Sequence, residues 1–163
     1  MVGASLGQRD IYYRILDEDD EYAARRAALI VTLGAVSAAA GAVGIGGLAP
    51  IWYFAGAILG WALATSVIYA AALFIPGHRP SDARRNLTIA LGFAYSPALL
   101  LFLGMVPVFG PLLLLGILIW IAGTSVVAAM AALELEVETG IVVSFAGWIV
   151  LFALTLLVPT LIV

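Results

Sequence analysis

Five long apolar stretches, separated by short polar or glycine- and proline-containing segments, make up most of the chain. They run from Ala27–Leu48, Ile51–Ile75, Asn86–Val106, Pro111–Leu133 and Gly140–Val163. A helix needs about 20 apolar residues to cross the ~30 Å hydrocarbon core of a bilayer, and each stretch is long enough. None of the stretches contains Asp, Glu, Lys, Arg or His. The pattern predicts an all-α integral membrane protein, a bundle of five transmembrane helices.

The composition agrees with this prediction, because 64% of the residues are hydrophobic and only 10% are charged. Soluble domains carry about 25% charged residues. We expect one transmembrane domain over residues 24–163, preceded by a cytoplasmic segment over residues 1–23. In that segment Tyr12, Ile15 and Leu16 fall on one side of a short helix, which indicates a helix that lies on the inner leaflet. The first apolar stretch is too long for a signal peptide and is expected to be retained as a span.

The basic residues predict the orientation of the helices. All seven are arginines, a bias that suits a prokaryotic source. Four precede the first stretch and three lie between the second and the third: Arg9, Arg14, Arg25, Arg26, Arg79, Arg84 and Arg85. Loops rich in Lys and Arg stay in the cytoplasm. With five spans, we expect a multi-pass protein of the cell membrane, its N-terminus cytoplasmic and its C-terminus extracytoplasmic.

The chain carries little of the chemistry that enzymes use. It has no cysteine and a single histidine, His78, which argues against thiol catalysis, disulfides and a zinc site. Without lysine no Schiff base can form. Ionisable groups inside a membrane are the usual mark of a protease or a proton-coupled transporter, and the apolar stretches hold none. We therefore expect no enzyme activity, no catalytic residue, no metal and no cofactor, and no nucleic-acid partner at a net charge of −3.

A proline in the third stretch is the first candidate for a functional feature. Pro97 removes a backbone hydrogen bond near the middle of that stretch and is expected to kink it. The freed carbonyl must then find a partner inside the bundle, from Tyr95, Ser96 or a neighbouring helix. Tyr95, Ser96 and Pro97 are candidates for a hinge or for the lining of a cavity, and a simple packing kink is the alternative.

Small residues four positions apart predict close contacts between helices, since lipid supplies no hydrophobic driving force and backbones must approach each other. Gly56 and Gly60 form one such pair, and Gly92 with Ser96 forms another. The contacts lie either within the chain or between copies of it. Three tryptophans deep in the stretches need acceptors for their indole N–H groups and favour core packing or a ligand pocket: Trp61, Trp120 and Trp148.

The arginines between the second and third stretches are candidates for lipid contact. Arg79, Arg84 and Arg85 are expected at the inner membrane surface. A basic residue near anionic headgroups contributes about 1 kcal/mol to binding. Three of them could hold an anionic lipid headgroup, whereas the alternative is that they only set the orientation of the chain.

A cytoplasmic segment followed by five spans resembles the Yip family of membrane proteins, in its prokaryotic branch. The residues that carry the resemblance are Arg84-Arg85, Gly92-Phe93-Ala94-Tyr95-Ser96-Pro97, Val106-Pro107-Val108-Phe109-Gly110 and Leu118-Ile119-Trp120. An Asn-Pro pair near the N-terminus and the Asp-Leu-x-Gly-Pro element of eukaryotic members are absent. The resemblance therefore does not carry Rab-type GTPase binding to this chain. It implies a Yip-domain-like fold and a role in membrane organisation or trafficking-like processes.

The leading functional prediction is a non-catalytic scaffold or adaptor whose partners are membrane lipids and another membrane protein or a second copy of itself. The alternative is a small transporter or channel subunit with a cavity near Pro97. Polar residues in the stretches that could line such a cavity are Thr65, Ser66, Tyr69, Thr124 and Ser125. A sealed bundle interior favours the scaffold, and a wet cavity open to one side favours transport.

Overall fold

The computed structural model describes residues 9–17, 20–75, 82–106 and 109–162, and every regular element in these ranges is helical. The all-α prediction is therefore confirmed. The elements in chain order are α1 (Arg9–Leu16), α2 (Asp20–Gly41), a 3-10 turn (Val43–Ile45), α3 (Ala49–Ala72), α4 (Ala83–Ala94), a 3-10 segment (Ser96–Met105), α5 (Gly110–Ala132) and α6 (Val137–Ile162).

Four helical segments within the described residues are long and apolar enough to cross a membrane. They are Glu21–Ile45, Ala49–Ala72, Ala83–Met105 and Gly110–Ala132. Each overlaps one of the first four predicted stretches. The last helix, α6, covers the fifth stretch and packs against α3 and α5. The chain thus has the character of a multi-pass membrane protein.

Proline and glycine set the turns at one end of the bundle. Pro50 and Pro111 occupy the first turns of α3 and α5, where no backbone N–H is needed. Between α2 and α3 the chain reverses through Gly46 and Gly47, which have φ values of +84° and +57°. Only glycine adopts this region of φ at low cost, so these two residues allow a tight connection.

The segment Ala83–Met105, named the third span below, lies at the centre of the bundle. It consists of α4 and the 3-10 segment. In an apolar 18-residue window of this segment, 67% of the residues are buried in protein, compared with 17% in the corresponding window of Ala49–Ala72. Helix α2 packs along it on one side and α5 on another, while α3 and α6 form a second closely packed pair. The third span is therefore the element around which the other helices are arranged.

Helix α1 packs beneath one end of the bundle. Tyr12 is fully buried and Ile15 is nearly so, and the helix contacts the start of α4 and the end of α5. The guanidinium of Arg9 donates a hydrogen bond to the carbonyl of Leu135 at 3.4 Å. Burial raises the pKa of the Tyr12 phenol above its usual range. The apolar face predicted to lie on lipid is thus held against protein instead.

These contacts bring three parts of the chain to the same end of the molecule, which is called the charged end below. They are α1, the start of α4 and the connection between α5 and α6. The arginines predicted the first two parts on one side of the membrane, and a count of five spans puts the connection between the fourth and fifth stretches on that side as well. Asp82 precedes α4 without a side-chain capping bond, and Arg84 and Arg85 in its first turn are exposed.

Candidate functional site at the break in the third span

The α-helix of the third span ends at Ala94 and the chain continues as ten residues of 3-10 helix from Ser96 to Met105. Such runs rarely exceed three or four residues. Pro97 explains where the change occurs, because it has no N–H to donate to the carbonyl four residues earlier. The next N–H, that of Ala98, donates to the carbonyl of Tyr95 at 2.9 Å. At the position where Pro97 was expected to kink the helix, the structure therefore has a change from α-helix to 3-10 helix.

A threonine of α5 supplies a partner for the backbone at the break. The hydroxyl of Thr124 lies 2.9 Å from the carbonyl oxygen of Ala94, and Thr124 is 3% exposed. In a 3-10 helix the N–H of residue 97 would donate to this carbonyl, but proline has no N–H. The same hydroxyl also lies within hydrogen-bond distance of carbonyls in its own helix. A neighbouring helix was one of the sources expected from the sequence.

A serine of α2 is inserted into the backbone of the 3-10 segment. The Ser37 hydroxyl donates to the carbonyl of Leu99 at 2.9 Å and accepts from the N–H of Phe102, also at 2.9 Å. These backbone groups are three residues apart, the pair that a 3-10 helix joins directly. Ser37 therefore bridges the two groups and ties the first transmembrane helix to the third span.

Close backbone approach accompanies this bridge. A Cβ atom on Gly41 would lie 2.6 Å from the carbonyl oxygen of Leu101, and one on Gly92 would lie 2.7 Å from the Cβ of Ala27. Gly34 faces the same segment. Ala27, Gly34 and Gly41 are spaced seven residues apart on α2, so they present one small-residue face to the third span.

A small cleft lies on the other side of the third span, where α3, α4, α5 and α6 meet. Its volume of about 20 Å³ has room for one water molecule. Its lining residues are Trp61, Ala64, Thr65, Ile68, Leu91, Tyr95, Ile121, Ser125, Gly147 and Trp148. Except for the phenol of Tyr95, the described lining contains no ionisable side chain. No group of metal-binding residues occurs in the described part of the chain.

Five of the residues that line the cleft have polar side chains: Trp61, Thr65, Tyr95, Ser125 and Trp148. Thr65 donates to the carbonyl of Trp61 at 2.8 Å, and Ser125 donates to the carbonyl of Ile121 at 2.6 Å. Their hydroxyl oxygens keep lone pairs that can accept. The indole Nε1 of Trp61 is buried and has no partner among the described residues.

The three hinge-or-cavity candidates are consecutive in the chain and all of them are buried. Tyr95 lines the cleft, while Ser96 and Pro97 begin the 3-10 segment and are buried. Within the described residues, the Ser96 hydroxyl has no hydrogen-bond partner. Two of the polar residues expected at a cavity, Thr65 and Ser125, line the cleft. Thr124 instead donates to the backbone at the break. Ser66 is exposed, and Tyr69 is half-buried and does not line the cleft.

The glycines and tryptophans singled out from the sequence lie in different places. Gly92 contacts α2 as described, Gly60 is buried in α3 and Gly56 is half-buried there. Trp61 and Trp148 line the cleft, as a pocket role requires. Trp120, in contrast, lies on the outer face of α5 and is 40% exposed.

The structure describes two of the three arginines between the second and third stretches. Arg84 and Arg85 are exposed at the charged end of the bundle, and Arg79 lies outside the described residues. Arg26 of α2 lies over the ring of Phe93 at 5.7 Å from its centroid, within the range of a cation–π contact. A basic side chain thus contacts the third span one turn before Pro97, close to the break.

Sequence reasoning missed the role of two residues. Ser37 and Gly41 form a further pair of small residues four positions apart, and for Ser37 that spacing was the one available sign of a close contact. The other is Gly147, where a Cβ would lie 2.6 Å from the Cγ1 of Ile68. Its position in an apolar stretch was a sign of helix contact that could have been used.

Comparisons of the chain with family models, curated proteins and solved structures found no match. The resemblance to the Yip family therefore stays a prediction from the residues that carry it.

Proposed function

We propose that the protein is a non-catalytic integral membrane protein that acts as a scaffold or adaptor, in a role like that expected from the Yip resemblance. The observation that supports this best is the closed packing around the third span. Every residue from Leu91 to Ala98 is buried, and Ser37 and Thr124 bind its backbone from two neighbouring helices. A bundle tied in this way presents surfaces to partners rather than a path to solutes.

The proposal includes five spans. Helix α6 has 26 residues, a length of about 39 Å that is sufficient to cross a bilayer. Its packing against α3 and α5 supports its place in the bundle. The arginines at the charged end support a cytoplasmic N-terminus and an extracytoplasmic C-terminus. A reporter fused after Val163 should be extracytoplasmic and one at Gly77 cytoplasmic, and finding both on one side would contradict this topology.

Two assays with the purified protein test the scaffold role. In proteoliposomes, the rates of potassium leak and of glycerol uptake should equal those of empty vesicles. In native membranes, a photoreactive amino acid at Arg84, on the charged end, should give discrete protein adducts. The same group at Leu59, on an exposed apolar face, serves as the matched control and should label mainly lipid. Lack of any discrete adduct at the charged end would contradict an adaptor role there.

A small transporter or channel subunit is the second candidate, and the cleft between α3 and α5 is the observation that favours it. Its aromatic and hydroxyl lining suits neutral solutes. Its volume of about 20 Å³ is too small for any solute larger than water, which places this function second. Solute flux that rises with the ratio of protein to lipid would reverse the order.

Membrane lipids are the proposed partners at the charged end. Arg79, Arg84 and Arg85 would hold an anionic headgroup through charge-assisted hydrogen bonds. Replacing all three by Gln should reduce the anionic lipid that co-purifies, as counted by native mass spectrometry. The matched control is Arg25→Gln, an exposed arginine that already pairs with Glu21. Equal lipid retention in both variants would leave the three arginines a topological role only.

A further inference from the structure

The cleft beside the third span contains a buried hydrogen-bond donor that the protein itself does not satisfy. The indole Nε1 of Trp61 has no partner among the described residues. A buried donor without an acceptor costs about 1–3 kcal/mol. In the apolar part of a membrane this cost is not relieved by bulk water. A molecule that accepts from Trp61 would remove it.

The same cleft offers hydrogen-bond acceptors on two different helices. The hydrogens of Thr65 and Ser125 are directed to carbonyls of their own helices at 2.8 and 2.6 Å. Each hydroxyl oxygen therefore has lone pairs available but no free hydrogen. A ligand in this cleft must accept from Trp61 and donate to hydroxyl oxygens, which requires a molecule with both capacities.

The volume of the cleft and the lack of charged side chains in its described lining further limit the chemical class of the ligand. The volume of about 20 Å³ holds one water molecule and nothing much larger. A cation would find no carboxylate in the described lining, and an anion would find no basic side chain. The ligand must therefore be small and neutral.

We propose that this cleft is a binding site for a single water molecule, which accepts from the Trp61 indole and donates to Thr65 and Ser125. A buried water typically makes about three hydrogen bonds, and the Trp61 indole together with the Thr65 and Ser125 oxygens would supply three. Because Trp61 and Thr65 belong to α3 and Ser125 belongs to α5, the water joins the two helices. The site is a structural water site inside the membrane, and it is separate from the scaffold role.

A double-mutant cycle distinguishes a hydrated cleft from a dry one. Trp61→Phe removes the donor, and Thr65→Val removes an acceptor while keeping the side-chain shape. With bound water, each change should lower the midpoint of thermal unfolding in detergent, and the double variant should lose less than the sum. In a dry cleft the two substitutions act independently: Trp61→Phe loses the packing of one ring, and the effects of the two substitutions should add.

Thr32→Val is the matched control for Thr65→Val. Thr32 makes the same bond, to the carbonyl of Ala28 at 2.8 Å, but is exposed on the outer face of α2. The proposal requires Thr65→Val to lower the midpoint by several degrees more than Thr32→Val does. Equal effects of the two substitutions would overturn it.

A direct readout does not depend on the stability of the Trp61 variant. The four indole N–H signals of the ¹⁵N-tryptophan-labelled protein can be assigned by replacing the other three tryptophans singly with Phe. The Trp61 signal should show magnetisation transfer from water in the parent protein and a clear loss of transfer in Thr65→Val. A Trp61 indole that receives no transfer from water in the parent protein would refute the site.

Discussion

The two sides of the third span differ in how their polar groups are satisfied. Toward α2, the hydroxyl of Ser37 makes two hydrogen bonds to the 3-10 backbone, and Gly41 allows the two backbones to approach. Toward α3 and α6, the indole of Trp61 has no partner among the described residues, and a cleft of about 20 Å³ remains. One interface is sealed by protein atoms, and the other has room for a small ligand.

The difference follows from the size of the side chains that meet. On the α2 side, Ala27, Gly34 and Gly41 bring the helix close enough for a serine to reach backbone groups. On the other side, Trp61 and Trp148 line a cleft against the third span and α5, although Gly147 allows their own two helices to approach closely. Small residues thus permit direct hydrogen bonding between helices in lipid, whereas large aromatic residues fill area but leave gaps. Changes to either interface should affect stability in different ways.

The largest effect is expected at Gly41. Gly41→Ala places a methyl group 2.6 Å from the carbonyl oxygen of Leu101, a backbone atom that cannot move aside alone. Overpacking of this kind costs about 1–3 kcal/mol. The measurement is the free energy of unfolding or the thermal midpoint in detergent. Gly123→Ala is the control, because nothing lies within 4 Å of its added Cβ. Equal stability of the two variants would show that α2 does not pack closely on the third span.

A smaller effect is expected at Ser37. Ser37→Ala removes both hydrogen bonds to the 3-10 segment, and hydrogen bonds between helices in membranes contribute about 0.6 kcal/mol each on average. We therefore expect a loss of about 1 kcal/mol in detergent. Ser96→Ala is the control, because Ser37 and Ser96 are 8% and 7% exposed but only Ser37 has partners among the described residues. Ser96→Ala should be neutral or stabilising, and a larger loss at Ser96 than at Ser37 would contradict the assignment.

The smallest effect is expected at Thr124. Thr124→Val keeps the side-chain shape but deprives the Ala94 carbonyl of the hydroxyl at 2.9 Å. The loss should be about 0.6 kcal/mol, measured beside the exposed Thr32→Val control. Pro97→Ala should reduce this loss, because an N–H at position 97 can satisfy the helix backbone. Independent effects of the two substitutions would show that Thr124 does not compensate for the proline.

The sequence was sufficient to predict that the fold is all-helical and where its long apolar helices lie. The apolar stretches predicted helices that the structure confirms, with Pro50 and Pro111 at helix starts. Pro97 correctly marked a break in the third span. These predictions succeed because helix length, proline and glycine act locally, and local effects are visible in a single sequence.

The contacts between helices could not be predicted in the same way. Ser37 and Leu99 are 62 residues apart in the chain, and no local pattern indicates that they meet. Tyr12 was expected on lipid because its helix is amphipathic, but the sequence does not show whether lipid or protein covers an apolar face. The change from α-helix to 3-10 helix after Ala94 likewise depends on partners from α2 and α5.

The account rests on a closed interior around the third span, and cysteine accessibility tests this most directly. The chain contains no cysteine, so Ser96→Cys, Ser125→Cys and the exposed control Arg84→Cys each introduce a single thiol. A charged methanethiosulfonate reagent reaches only thiols that are open to bulk water, where the thiolate forms, and a cleft with room for a single water molecule does not admit it. The account predicts that Arg84→Cys is labelled in proteoliposomes, while Ser96→Cys and Ser125→Cys stay unlabelled from either side. Labelling of either buried cysteine at a rate close to that of Arg84→Cys would contradict it and would favour a solute pathway.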